Sequence, residues 1–278
     1  MKLTRDHLST MNIQYKYWPF TKFLDDTKKY GIPYVEIWGA APHFHLEDMT
    51  YQEVAGVRRE IEKRGLKVSC LTPEQCVYPI NIAAESKDER RRSLKFFENY
   101  IRAASEIGAG KMLVTSGWGY FDGSNAKQAW EYAREGLFDL AECAKTHGIC
   151  LALEVLRKDE SNLVNDLPSL KRMLQELNHE SIGGMIDTIP MNLAKATPAD
   201  YLRELGNKLV HVHFIDGAPK GHLAWGDGIL DAAKYLQELS DGGYQGILSL
   251  EITDGRYFME PEASIRQSVE MLFDCLNK

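Results

Sequence analysis

The sequence predicts an α/β protein: a (β/α)8 barrel in a single domain that spans residues 1–278. Short β-rich runs alternate eight times with helical patterns, which predicts βα units around a parallel sheet. Eight such units suit a chain of 278 residues. No Pro/Gly/Ser-rich linker or low-complexity tract interrupts the sequence, so a second domain is not expected.

Eight segments carry the strand pattern. They are residues 11–15, 34–38, 67–71, 111–115, 150–154, 183–187, 209–214 and 246–252. A doubly wound open sheet is the structural alternative, and it would place a glycine-rich phosphate loop after the first strand. Residues 15–20 (YKYWPF) are unlike such a loop, which favours the barrel.

Helix boundaries are also visible in the sequence. Glycine marks the C-terminal end of six predicted helices, at Gly31, Gly65, Gly108, Gly148, Gly206 and Gly243. Thr50 opens a capping box, and Ser124, Asp166 and Thr197 are further N-cap candidates. The last helix is predicted to begin near Pro261.

Composition excludes several classes of partner. The net charge of −7 argues against nucleic acid and against an acidic membrane surface. No apolar run approaches 18 residues, and the polar start MKLTRDHLSTMN does not resemble a signal peptide. The five cysteines are scattered, without a CxxC motif, and are expected to be reduced. We therefore expect a soluble cytoplasmic protein.

Four consecutive predicted strands end in groups that can bind a metal: Glu154, Asp187, His213 and Glu251. The intervals between them are 33, 26 and 38 residues, and each suits one strand, one helix and two turns. In a barrel the four side chains lie at the carboxyl ends of the strands, where the active sites of such barrels occur. Carboxylates with one imidazole favour one divalent cation such as Mn²⁺, Mg²⁺ or Co²⁺.

Side-chain alternation supports this interpretation. His211 and His213 share one face of their strand, and Ser249 and Glu251 share one face of theirs. The apolar residues between them are expected to pack against helices, so the polar set points into the barrel. Burying several carboxylates without a partner is costly, and a bound cation removes that cost. For Asp187 alone, a helix N-cap or a loop salt bridge remains an alternative.

The earlier strands also end in polar, aromatic and glycine residues. The motifs at the predicted carboxyl face are Glu36-Ile-Trp-Gly39 with Pro42-His43, Thr72-Pro-Glu74 with Tyr78-Pro79 and Asn81, Ser116-Gly-Trp-Gly-Tyr120, Glu154 followed by Glu160-Ser-Asn162, and His211-x-His213 followed by His222 and Gly226-x-Gly228. On these motifs the chain resembles the xylose-isomerase-like sugar isomerase/epimerase superfamily over nearly its whole length. It is most similar to the fructoselysine 3-epimerase and D-tagatose 3-epimerase group.

The resemblance implies a metal held by Glu154, Asp187, His213 and Glu251, with Mn²⁺ as the expected ion. It also implies that Glu154 and Glu251 are the catalytic acid/base pair. One removes the C3 proton of a ketose to give a metal-stabilised cis-enediolate, and the other returns a proton to the opposite face. The residues expected to bind substrate are Glu36, His43, Glu74, Trp118, Glu160, His211 and His222.

The chain departs from the ketose 3-epimerase pattern at three places. Pro190 stands where those proteins have a substrate-binding His. No Arg follows His213 closely, so Lys220 or His222 would replace it. Trp118 stands where fructoselysine epimerase has a His. Aromatic residues at this face suit a substrate with an apolar or aromatic appendage.

The sequence therefore predicts a metal-dependent C3 epimerase of a ketose or of a conjugate such as fructoselysine. The alternatives are the catalytic subunit of a C-glycoside deglycosidase, which eliminates an aglycone from a 3-keto-glycoside, and another sugar isomerase. A non-enzymatic barrel is disfavoured because all four ligand positions are filled. The expected partner is a small sugar or sugar conjugate. The resemblance also implies a homo-oligomer, or a small partner subunit in the deglycosidase case.

Overall fold

Eight parallel strands close into a barrel in chain order, with the last strand paired to the first. The computed structural model describes residues 2–75 and 80–276. The strands are Leu8–Met11 (β1), Tyr34–Gly39 (β2), Lys67–Pro73 (β3), Lys111–Val114 (β4), Cys150–Leu153 (β5), Ile182–Asp187 (β6), Leu209–His213 (β7) and Leu248–Leu250 (β8). The predicted (β/α)8 barrel is confirmed, and closure excludes the open sheet.

Helices surround the barrel. Within the described residues they are Phe20–Lys29 (α1), Tyr51–Glu62 (α2), Lys87–Glu106 (α3), Ala126–Thr146 (α4), Leu167–Leu177 (α5), Thr188–Leu193 (α6), Pro198–Leu205 (α7), Ala232–Asp241 (α8) and Pro261–Leu276 (α9). None of them is both long and apolar enough to cross a membrane.

The predicted helix boundaries are confirmed with one shift. Thr50, Asp166 and Thr197 each accept a hydrogen bond from the backbone N–H three residues ahead, as N-caps do. The cap of α4 is Asn125, one residue after the predicted Ser124. All six predicted glycines have φ between 53° and 78°, the left-handed region that costs glycine little.

The predicted first strand, 11–15, is wrong. The strand runs from Leu8 to Met11, and residues 13–15 form a 3₁₀ turn. The cause is Asn12, whose Oδ1 accepts from the Trp38 backbone N–H at 2.6 Å. Its Nδ2 lies 3.0 Å from Nδ1 of His43. The bonds of the Asn12 carboxamide tie the chain to the loop after β2, and the backbone leaves the extended conformation at that point.

The middle of the barrel interior is apolar, and its carboxyl end is polar. A small interior cluster contains Cys70, Leu113, Ala152 and Met185. The larger apolar core lies outside it, where the outward faces of the strands pack against the helices. Charged and imidazole groups lie at the carboxyl end, so the strands deliver them to one partly enclosed mouth.

Candidate active site and metal centre

Glu154, Asp187, His213 and Glu251 converge at the mouth of the barrel. One potential ligand atom from each residue lies within 4.8 Å of the others. Glu154 and Glu251 directly follow β5 and β8, while Asp187 and His213 are the last residues of β6 and β7. Glu154, Asp187 and His213 are buried and Glu251 is nearly so. The convergence that the strand ends predict is therefore present.

Asp187 is a helix N-cap and also faces the other potential ligands. Its Oδ1 accepts from the backbone N–H of Ile189 at 2.8 Å and so caps the short helix α6. Its Oδ2 faces the cluster, 3.3 Å from Nε2 of His222. The cap fixes the rotamer of the carboxylate and directs the second oxygen toward the other ligands.

The donor set fits a divalent cation. Nε2 of His213 lies 3.0 Å from Oε1 of Glu36, which leaves Nδ1 facing the mouth. Nδ1 is 2.9 Å from Oε2 of Glu251 and 3.6 Å from Oε1 of Glu154, yet it is not aligned for a hydrogen bond to either. Among the described residues, two buried atoms of the cluster lack a hydrogen-bond partner, Nδ1 of His213 and Oε2 of Glu251, and so does Nδ1 of the neighbouring His222. Oxygen and imidazole lone pairs directed at one centre are what a hard or borderline cation binds.

The two glutamates differ in their electrostatic surroundings. Burial raises the pKa of Glu154 to about 7. Burial also disfavours the charged form of Glu251, but attraction to His213 and His222 outweighs it and lowers that pKa to about 2. Burial alone would lower the pKa of both histidines; the surrounding carboxylates reverse this and raise each well above its usual value. At neutral pH Glu154 is therefore partly protonated while Glu251 stays ionised, a division suited to an acid/base pair.

Glu36 lies beneath the four candidate ligands Glu154, Asp187, His213 and Glu251, which are called the metal-ligand cluster below, and it contacts His213. Its carboxylate is fully buried, with Oε1 3.0 Å from Nε2 of His213 and Oε2 2.9 Å from Nε2 of His211. The hydroxyl of Thr72 also donates to Oε1. A carboxylate that accepts the second N–H of a metal-binding histidine fixes its tautomer and increases the basicity of the free nitrogen. Neither Glu36 nor His211 has exposed surface, which places them behind the ligands rather than against a substrate.

A second group of potential ligands, Glu36, Cys70 and His211, is also compact and buried. Both oxygens of Glu36 already face imidazole nitrogens. Burial raises the pKa of the Cys70 thiol well above its usual value. This group lies directly beneath the metal-ligand cluster, and Glu36 joins the two through His213.

His222 and Glu160 lie where the sequence predicts substrate contacts. Nδ1 of His222 is 3.0 Å from Oε2 of Glu251, so its ring lies between Glu251 and Asp187. Glu160 follows β5 and pairs with Arg157 at 2.6 Å. Both side chains therefore have charged partners, His222 within the cluster and Glu160 on the loop after β5.

Of the remaining predicted substrate residues, His43, Glu74 and Trp118 lie on the loops after β2, β3 and β4. Nδ1 of His43 lies near Asn12 and its Nε2 lies 2.7 Å from the carbonyl of Trp18, so the ring joins the loops after β1 and β2. Glu74 accepts from the indole N–H of Trp38 at 3.0 Å. The backbone of Trp118 exchanges two hydrogen bonds with the Asn81 carboxamide. The motif residues Tyr78 and Pro79 lie outside the described residues.

The sequence analysis assigns no role to three residues whose hydrogen bonds support the site: Asn12, Thr72 and Asp216. The misplaced first strand hid Asn12. Thr72 shares the inward face of β3 with Cys70, and alternation could have identified it. Asp216 accepts hydrogen bonds from four backbone N–H groups of the loop after β7, at Gly217, Gly226, Gly228 and Leu230. The Gly226-x-Gly228 motif was the signal for this acceptor, since a Cβ at Gly228 would collide with the Asp216 carboxylate.

The closed (β/α)8 barrel carries its buried carboxylate–imidazole cluster at the carboxyl mouth, the end at which the active sites of barrel enzymes lie. The chain belongs to the xylose isomerase-like TIM barrel family, whose sequence profile matches residues 24–275.

Several relatives that are similar to this chain are named as sugar epimerases. Fructoselysine 3-epimerase of Shigella flexneri is 28% identical over 255 residues, which cover 91% of each chain. A D-psicose 3-epimerase of Enterocloster bolteae is 26% identical over 256 residues, covering 86% of this chain and 80% of the relative. The crystal structure of D-psicose 3-epimerase with D-tagatose from Clostridium cellulolyticum superimposes with a TM-score of 0.81 at 17% identity, covering 97% of this chain and 98% of the other.

Proposed function

We propose that this protein epimerises C3 of a ketose or of a ketose conjugate such as fructoselysine, with one divalent cation at the mouth of the barrel. The observation that carries this proposal is the convergence of Glu154, Asp187, His213 and Glu251 within 4.8 Å. The fructoselysine and D-psicose 3-epimerases among its relatives support the sugar class. Mn²⁺ is the proposed ion, and a cytoplasmic homo-oligomer is the proposed state of the protein.

Glu154, Asp187, His213 and Glu251 would hold the cation. When bound, a divalent cation polarises the substrate carbonyl and stabilises the negative charge that develops beside it. The carboxylates of Glu154 and Glu251 approach the mouth from β5 and β8, which are separated by β6 and β7, and so can reach different faces of a sugar bound between them. Inversion needs this arrangement, because one carboxylate removes the C3 proton and the other donates a proton to the opposite face.

Other residues of the chain position these groups. Glu36 holds the tautomer of His213, and His211 occupies the second oxygen of Glu36. We revise the role of Glu36 and His211 from substrate contact to orientation, since both are fully buried. Glu160 and His222 are proposed to bind sugar hydroxyls. Glu74 and Trp118 stay proposed substrate contacts, on the loops after β3 and β4.

A second candidate uses the same acid–base pair on a glycoside that carries a keto group. It is favoured by a relative named 3-dehydro-D-guloside 4-epimerase of Escherichia coli, 26% identical over 200 residues, which cover 68% of this chain and 73% of the relative. Proton removal beside a 3-keto group leads to epimerisation at C4, or to elimination of the aglycone in a C-glycoside deglycosidase. The latter would require a small partner subunit.

Solvent deuterium distinguishes the two candidates. Mn²⁺-loaded protein is incubated in D₂O with free ketoses, fructosamines and 3-keto-glycosides, and deuterium is located by NMR. We expect deuterium at C3 of a ketose with inversion. Exchange confined to the carbon beside a 3-keto group would favour the second candidate, and the absence of exchange in all three substrate classes would refute both.

A further inference from the structure

A cavity of about 330 Å³ lies between the loops after β5, β6 and β7. Arg157, Lys158 and Asp159 supply one wall, Pro190 and Leu193 of α6 supply another. Lys220 closes it from the loop after β7. The volume is at the small end of the range for ligand sites, sufficient for one substituent rather than a whole substrate.

The cavity lies beside the metal-ligand cluster, because the same loops build both. Arg157 is three residues from Glu154, Pro190 is three residues from Asp187, and Lys220 is two residues from His222. Three extended residues span at most about 10 Å. A sugar bound at the cluster can therefore extend its chain into this space.

The charge of the lining is opposite to that of the protein. Three cationic side chains and one carboxylate line the cavity, whereas the whole chain carries a net charge of −7. Asp159 bridges two of the cations, accepting from Lys220 at 2.9 Å and from Arg157 at 3.2 Å. The bridge draws the loops after β5 and β7 together. Arg157 also pairs with Glu160 at 2.6 Å, so two carboxylates offset two of the three cations and the remaining positive charge is that of the exposed Lys158.

The lining also explains a departure from the ketose 3-epimerase pattern. Pro190 stands where those proteins are expected to have a substrate-binding His, and here it forms part of an apolar wall with Leu193 and Ala194. A proline side chain offers no hydrogen bond to a sugar hydroxyl. On this side of the site a substrate would therefore be bound by the cationic side chains of the cavity, whose preferred partners are phosphate and carboxylate oxygens.

We propose that this cavity binds an anionic substituent of the ketose, a phosphate or a carboxylate, that extends away from the metal-ligand cluster. The inference rests on the proposed function to the extent that the sugar itself must reach the metal-ligand cluster. It narrows the substrate from ketoses in general to ketoses that carry a negative charge.

The test compares matched neutral and anionic ligands by calorimetric titration. D-Fructose 6-phosphate is compared with D-fructose, and N-fructosyl-glycine with N-fructosyl-glycinamide, in metal-free and in Mn²⁺-loaded protein. We expect the anionic member of at least one pair to bind about tenfold more tightly or better. The pair with the larger ratio identifies phosphate or carboxylate as the group bound. Equal affinity within both pairs would overturn the proposal.

Three variants locate the effect. Lys158→Ala and Lys220→Ala should each reduce the anionic-to-neutral affinity ratio about threefold to tenfold, because each removes one cation from the lining. Lys145→Ala is the matched control: Lys145 is similarly exposed and pairs with one carboxylate, Glu180, at 2.7 Å, but it lies in the last turn of α4, away from the cavity. A reduction of the same size in Lys145→Ala would overturn the proposal.

The anion-binding proposal and the epimerase proposal can be refuted separately. Selective anion binding that depends on Lys158 and Lys220, without deuterium exchange at C3, would support the anion-binding cavity and refute the epimerase. Exchange at C3 with no preference for anionic ketoses would support the epimerase and refute the anion-binding cavity.

Discussion

The orientation of His213 by Glu36 leads to a quantitative prediction for Glu36→Gln. The wild-type carboxylate has two oxygens, which receive N–H groups from His213 and His211 and the hydroxyl of Thr72. A glutamine offers one oxygen, so its NH₂ group must face at least one of these donors. An unpaired buried donor costs about 1–3 kcal/mol. Loss of such an outer partner lowers metal affinity about 10- to 100-fold, or about 1.4–2.7 kcal/mol.

The assay is titration of metal-free protein with Mn²⁺, with free ion followed by electron paramagnetic resonance. Asp26→Asn provides a control of similar burial, since Asp26 is a buried carboxylate of α1 that accepts from Tyr15 at 2.8 Å and from Lys22 at 2.8 Å. Asp26→Asn should lower the melting temperature while Mn²⁺ affinity is retained. Wild-type Mn²⁺ affinity in Glu36→Gln, or an equal loss in both variants, would refute the proposed orienting role.

Three further outcomes are expected. Glu154→Gln and Glu251→Gln should each abolish turnover with the circular dichroism spectrum preserved, and near-normal activity in either would refute the two-carboxylate mechanism. Asp216→Ala should lower the free energy of unfolding by about 2–4 kcal/mol in a denaturant titration, because four backbone N–H groups lose their acceptor, and should reduce kcat/KM because the loop carries His222. Mn²⁺ affinity should rise from pH 6 to pH 8 with release of protons, since burial raises the pKa of Glu154 to about 7 and protons compete with the cation below that value. Calorimetry in two buffers measures the proton release. A pH-independent Mn²⁺ affinity would contradict this prediction.

Hydrophobic periodicity and the residues at the ends of helices and strands predict most of the fold, because both depend on local conformational preferences. Alternation along β7 places His211 and His213 inward, and both are fully buried in the barrel. Glycine at the ends of helices reports a left-handed φ, which the backbone requires whatever the tertiary packing. The first strand was misplaced because the conformation of Asn12 depends on bonds to Trp38 and His43, residues distant in sequence.

The difference between local sequence signals and contacts distant in sequence also explains which site residues the sequence predicts. Strand ends reveal Glu154, Asp187, His213 and Glu251 because barrel closure brings all strand ends to one mouth. Burial of a particular carboxylate cannot be read from its position on a strand, so Glu36 was predicted to contact substrate although it lies beneath His213. Hydrogen-bond partners from separate strands, such as Thr72, decide that role, and a single sequence does not specify them.

The most direct test of the metal centre is anomalous diffraction from crystals grown with Mn²⁺. We predict one strong peak, enclosed by oxygens of Glu154, Asp187 and Glu251 and by Nδ1 of His213, at the distances of about 2.0–2.2 Å typical of such ligands. A peak at Glu36, Cys70 and His211 instead, or the four ligands turned away from each other without an ion between them, would contradict it.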